Sequence, residues 1–265
     1  MPIKQRYNED LLEDLQLWQH VLIGLLFVWG GLVRSGLGFG GAVLTLPFLL
    51  LILDQPLVFL PLIAVHLLIF SSLTVWQNHR DANSPTSVNW PFVKWALTVM
   101  AIPKIIGVLG VITLPGEVIT GFVFVLVTVY GISYIINRPI RSTNPRVETA
   151  LMALGGYVSG TSLVAAPLVV PIAANRMPPE QIRDSLFVLW FVLVGVKLLA
   201  FLAVGVDMQW KHHLWLLPCA AIGHVLGLRF HDYTLRNTDT VLFFRVIGVG
   251  LLLVSLVGVA RIVLG

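Results

Sequence analysis

Arg34, Lys104, Lys197 and Arg245 lie within or at the ends of long apolar segments, and no Asp or Glu lies comparably deep. The nearest carboxylates, Asp54, Glu117, Asp184, Asp207 and Asp239, all fall at segment ends. An ionisable group in hydrocarbon costs about 2.5–3.5 kcal/mol or more and needs a partner or an aqueous cavity. Cations without carboxylates therefore point to an anion as the missing counter-charge. Arg34 is the strongest candidate to bind it. Its guanidinium presents a planar fork of donors suited to an oxyanion, and it immediately precedes Ser35-Gly36. In the glycine-rich run that follows (Gly36, Gly38, Gly40, Gly41), backbone amides leave the helix ladder. A following half-helix N-terminus would add further donors. The hydroxyls of Ser35, Ser159, Thr161 and Ser162 could donate as well. The competing reading is that Arg34 snorkels to the interface from the end of a complete span.

Other residues carry two readings each. Lys104 and His224 could line a pathway, the histidine changing charge near neutral pH, or could be an interfacial lysine and a histidine satisfied by a carbonyl. Lys197 sits near mid-segment, which favours a cavity over lipid, whereas Arg245 is close enough to its helix start to snorkel. His66, mid-segment, reads as a packed histidine, and the lone Cys219 as packing. Gly-x-x-x-Gly spacings also allow close helix contact in lipid. The run Gly36-x-Gly38-x-Gly40-Gly41 has the outline of a nucleotide fingerprint but follows no strand, which excludes that use. Scattered His66, His224 and Cys219 form no nucleophile–base or metal constellation, so catalysis and a cofactor are not expected.

The elements that must position these groups are membrane helices. The 265 residues are 57% hydrophobic and 11% charged, against about 25% charged in soluble domains. Apolar runs fall at about 17–34, 39–53, 57–75, 92–112 and 117–136, then at 147–158, 163–174, 185–205, 212–228 and 240–263. Their lengths suit helices rather than the roughly 10-residue alternating strands of a barrel. The expected fold is an all-α polytopic membrane protein.

The chain also repeats itself. Ser35-Gly36 with Pro47 recurs as Ser159-Gly160 with Pro171, and the offset is 124 each time (159−35, 160−36, 171−47). Ala101-Ile102-Pro103-Lys104-Ile105-Ile106-Gly107 likewise matches Ala221-Ile222-Gly223-His224-Val225-Leu226-Gly227 at an offset of 120 (221−101). This predicts two repeats of about five elements, at 17–136 and 148–265, after a surface segment 1–16 and around a basic linker 137–147. Within 1–16, residues from about 8 read as a short amphipathic helix. The elements near 39 and 163 are too short to span comfortably and are expected to be broken or re-entrant at the Gly/Ser motifs. Paired breaks at matching places in two halves are the sequence mark of a transport site.

Either way the chain leaves each such pair on the side it entered. Loops near 76–91, 137–147, 175–183 and 229–239 then share one face with Arg80, Arg138, Arg141, Arg146, Arg176, Arg183, Arg229 and Arg236. The other face holds Lys4, Arg6, Lys211 and Arg261, offset by acids. The basic face should be cytoplasmic, with both termini outside. The odd element count makes the repeats inverted.

Ser35-Gly36-Leu37-Gly38-Phe39-Gly40-Gly41-Ala42 with Pro47 resembles the signature of the TauE/SafE family of sulfite exporters. That family has two related halves, each opening with a glycine-rich stretch ending in proline. The second copy departs from the pattern, with Val164-Ala165-Ala166 where glycines are usual, while Pro167 and Pro171 match. The resemblance implies a bacterial inner-membrane transporter for sulfite, thiosulfate or an organosulfonate; a channel using the same residues is the alternative. The expected partners are a small anion, the bilayer and a coupling ion. A homodimer is left open, and nucleic acid is not expected.

Overall fold

The computed structural model describes residues 11–38, 40–80, 88–140, 142–237 and 240–264, with side chains except at 78–80, 230–237, 240, 241 and 243. Among these residues are ten helices and no strand: α1 Leu17–Leu37, α2 Leu46–Ile52, α3 Pro56–Arg80, α4 Trp90–Thr113, α5 Gly116–Ile135, α6 Pro145–Ser162, α7 Ala166–Arg176, α8 Pro179–Val204, α9 Trp210–Asn237 and α10 Thr240–Leu264. Six are long and apolar enough to cross a membrane: α1, α3 through Gln77, α4, α5, α8 and α10 from Phe244. The protein is an all-α, multi-pass membrane protein.

Local chemistry sets the helix ends. The side chains of Asn89 and Asn144 cap α4 and α6, accepting from the amides of Phe92 and Arg146, and Pro91 and Pro145 occupy first-turn positions where no amide is needed. Left-handed glycines end α1 (Gly38, φ 78°) and α8 (Gly205, φ 77°). The Asn144 cap starts α6 at Pro145. Residues 11–15 form a turn rather than a helix, with Leu12 fully buried. The rest of the expected N-terminal helix lies outside the described residues, as do Phe39, Lys4, Arg6 and Arg141 and the side chains of Arg80 and Arg236.

Packing pairs the elements across the midpoint of the chain: α1 with α9, α4 with α6, α5 with α10 and α3 with α8. Small residues let the helices approach. Along α1 and α9, Gly24 faces Cys219, Gly31 faces Ala220, and Gly227 faces Ser35 and Gly36, so the two helices run in the same direction. In α4 and α6, Gly156 faces Met100 and Gly160 faces Gly107, again in parallel. In α5 and α10, Phe124 meets Gly258 and Gly131 meets Gly248, which makes that pair antiparallel. Large apolar side chains such as Ile102, Leu199, Leu214 and Val246 point outward, while Arg34, Lys104 and Lys197 are buried inside.

Candidate functional site

Both breaks come slightly later than the Ser-Gly pairs. Helix α1 continues through Ser35 and Gly36 and stops at left-handed Gly38, and residues 40–45 then double back along it. Trp29 donates its indole N–H to the carbonyl of Leu44 (3.1 Å), and a Cβ on Gly41 would stand 2.9 Å from that of Arg34. Helix α6 likewise continues through Ser159-Gly160-Thr161-Ser162, and the chain turns at Leu163 with φ 62°. The glycines and serines expected to break the helix instead form its last turn. Gly36 and Gly160 serve close packing against Gly227 and Gly107.

The short helices after the breaks are α2, with 7 residues, and α7, with 11. At 1.5 Å per residue these rise roughly 10 and 16 Å, too little for a hydrocarbon core of about 30 Å. Their N-terminal ends adjoin one cavity, through Thr45 beside α2 and Ala166 in α7.

The two motifs are held in matching ways. Ser35 Oγ shares a 2.6 Å hydrogen bond with His224 Nδ1. Lys104 Nζ donates to Ser159 Oγ (2.9 Å) and to the Ser159 carbonyl (2.8 Å). The serines are 124 apart and their partners 120 apart, so the first helix of each half is tied to the fourth helix of the other by the residues that the two sequence matches equate. Lys197 Nζ donates to the Thr161 carbonyl, at 3.2 Å. Thr161 and Ser162 donate their hydroxyls to the Val158 carbonyl, both at 3.1 Å.

A cavity of about 50 Å³ lies between the breaks. Arg34, Gly40, Gly41, Ala42 and Thr45 line it from the first motif, Ser159, Leu163 and Ala166 from the second. Ile63 and Phe187 both line it, as do His66 and Trp190, each pair again 124 apart. Among the described residues no Asp or Glu lines it. Six buried side-chain N or O atoms lack a hydrogen-bond partner among the described residues. Four of them, Arg34 Nη2, Thr45 Oγ1, His66 Nδ1 and Ser71 Oγ, belong to lining residues. Buried polar groups are nearly always paired, so these four atoms leave hydrogen-bonding capacity that a polar guest could use. The Arg34 guanidinium also stacks 4.8 Å from the ring centre of Phe70, which fixes its orientation without using its donors. A site with an arginine, hydroxyls and converging helix N-termini suits an anion.

Of the residues expected at a site, Arg34, Gly40, Gly41 and Ser159 line the cavity. Ser35, Gly36, Gly38, Gly160, Thr161 and Ser162 lie behind it in the helix ends, with Lys104, Lys197 and His224 bracing them. Thr45, His66 and Ser71 belong to the cavity without having been singled out for it. Thr45 and His66 each sit between apolar neighbours and Ser71 stands beside Ser72, while His66 matches Trp190 at the repeat offset, which was the available signal.

The family model for the sulfite exporter TauE/SafE matches residues 22–259. No curated protein and no solved structure matches the chain. The match covers both halves, both Ser-Gly motifs and every residue lining the cavity, and the chain belongs to the TauE/SafE sulfite exporter family of membrane proteins.

Proposed function

We propose that this chain is a secondary transporter that binds a small sulfur-containing oxyanion between its two broken segments and carries it across the cytoplasmic membrane by alternating access. The observation that carries this reading is Arg34: buried, and among the described residues its Nη2 has no partner and its cavity no lining carboxylate. Cavity size supports a small cargo. About 50 Å³ is room for one or two waters at roughly 30 Å³ each, which suits a compact oxyanion better than an extended organosulfonate.

The cross-half pairing of α1 with α9 and of α4 with α6, each in parallel, supports a two-fold relation between halves. In an inverted repeat the first and sixth helices point opposite ways, so each can lie parallel to the fourth helix of the other half. Such a pair of halves can rock about a shared central site.

Binding and flux in proteoliposomes test this with sulfite, thiosulfate, sulfoacetate, sulfate and chloride. Loss of a charge-assisted hydrogen bond is worth about 1.5–3 kcal/mol, so Arg34→Ala should weaken oxyanion binding by roughly 10- to 150-fold, with Arg34→Lys recovering part of it. Unchanged affinity in Arg34→Ala would sink the site. Counterflow separates a carrier from a channel, because only a carrier shows trans-stimulation.

A further inference from the structure

Arg34 supplies donors to the cavity, but His66 faces it with the opposite chemistry. His66 is buried in α3 and packs edge-on against Phe27, with ring centres 5.2 Å apart. Its other nitrogen, Nε2, lies 3.1 Å from Nδ1 of His213 in α9, and Nε2 of His213 lies 3.1 Å from the carbonyl oxygen of Met208. That carbonyl can only accept, so His213 Nε2 bears a hydrogen. In a neutral imidazole the second nitrogen is then a bare acceptor, and His213 Nδ1 must receive a hydrogen from His66 Nε2. The chain of bonds leaves Nδ1 of His66, a residue that lines the cavity, as a bare acceptor with no partner among the described residues.

An oxyanion held by Arg34 would set its own lone pairs against this acceptor unless a hydrogen lay between them. We propose that the anion occupies this cavity together with one proton, held between an anion oxygen and Nδ1 of His66. A cargo that already carries a hydrogen, such as a hydrogen-sulfite-type monoanion, brings that proton with it. A fully ionised cargo requires His66 to take one from water, becoming an imidazolium whose Nε2–H still donates to His213. Either way anion and proton enter as a unit, which makes the site intrinsically proton-coupled.

The charges around His66 favour this linkage. Arg34 of α1 faces the same cavity, and His213 is the titratable neighbour from α9. His224, also of α9, lies beyond Arg34 and is engaged with Ser35. Among the described residues, those lining it from α8 (Phe187, Trp190, Val194), from the first break and from α6–α7 do not titrate, and α5 sends none. Two cations facing one cavity repel, and an anion between them reverses that balance.

The inference rests on the anion site proposed above, and methanesulfonate, which carries no proton near neutral pH, tests it separately. Calorimetric titration of the full chain in detergent, in two buffers of different ionisation heat, counts protons taken up per anion bound. The wild type should take up about one, with affinity rising up to tenfold per unit fall in pH. His66→Gln should still bind through Arg34, with uptake near zero and a flat pH profile. Binding without proton uptake in the wild type overturns the proposal, and so does undiminished uptake in His66→Gln. If that variant does not fold, His66→Asn replaces it, and the wild-type count alone still decides. Absence of all binding in the wild type would instead sink the anion site and this inference with it.

Discussion

Lys197 is fully buried and, among the described residues, makes one 3.2 Å hydrogen bond, to the Thr161 carbonyl; its Nζ also lies 5.3 Å from the ring centre of Phe201. Burying an ammonium without a carboxylate costs several kcal/mol even after relaxation, and one bond to a backbone carbonyl offsets only part of that. A methionine of similar length would fill the space at no such cost. Lys197→Met should therefore leave the unfolding temperature in detergent unchanged or raised, while anion affinity falls several-fold because a positive charge behind the second break is lost. A large fall in unfolding temperature with unchanged affinity would mark Lys197 as a structural strut. Arg34 was legible from sequence because charge inside an apolar run is rare. Thr45, His66 and Ser71 were not, since a single hydroxyl or imidazole in or beside a helix often satisfies itself on a nearby backbone group. Their unpaired atoms become visible only when their neighbours are known.

At the scale of elements, the apolar runs mark all ten helices to within a few residues at most ends, because bilayer length and proline or asparagine caps are both written locally. The position of the breaks was less legible. Glycine loosens a helix and also permits close helix contact, and Ser-Gly was read as the first when Gly36 and Gly160 perform the second. The left-handed turn at Leu163 has no glycine to announce it. This division predicts different responses to added side chains. A Cβ on Gly156 would lie 2.7 Å from the carbonyl oxygen of Met100, so Gly156→Val should force α4 and α6 apart and destabilise the protein by about 1–3 kcal/mol or more. Gly195 and Gly250 have open space around them, and Gly195→Ala or Gly250→Ala should gain about 0.5–1 kcal/mol of helix preference. Thermal unfolding in detergent compares the three; equal effects would mean that the glycine-lined crossings are not close contacts in solution.

At the scale of the whole molecule, side-chain contacts join loops that the charge count assigns to the same face. The salt bridge of Arg176 to Glu148 (2.7 Å), the bond from Asn175 to the Ser142 carbonyl (3.1 Å) and that from Asn89 to Gln181 (2.9 Å) link the arginine-rich ends. On the opposite face, Arg261 donates to the Leu51 carbonyl (2.8 Å), Thr120 to Asp54, and Lys211 pairs with Glu13. The arginine bias assigns one of these two faces to the cytoplasm. Single cysteines decide it in a Cys219→Ala background, since Cys219, beside Gly24, is the only native cysteine. In intact cells an impermeant maleimide should label Glu117→Cys, at the start of α5, and spare Asn137→Cys until the membrane is opened. The reversed pattern would place both termini in the cytoplasm and invert the direction in which each break opens. Labelling of both positions in intact cells would contradict any single orientation and, with it, a carrier whose two halves act on one cargo in a fixed sense.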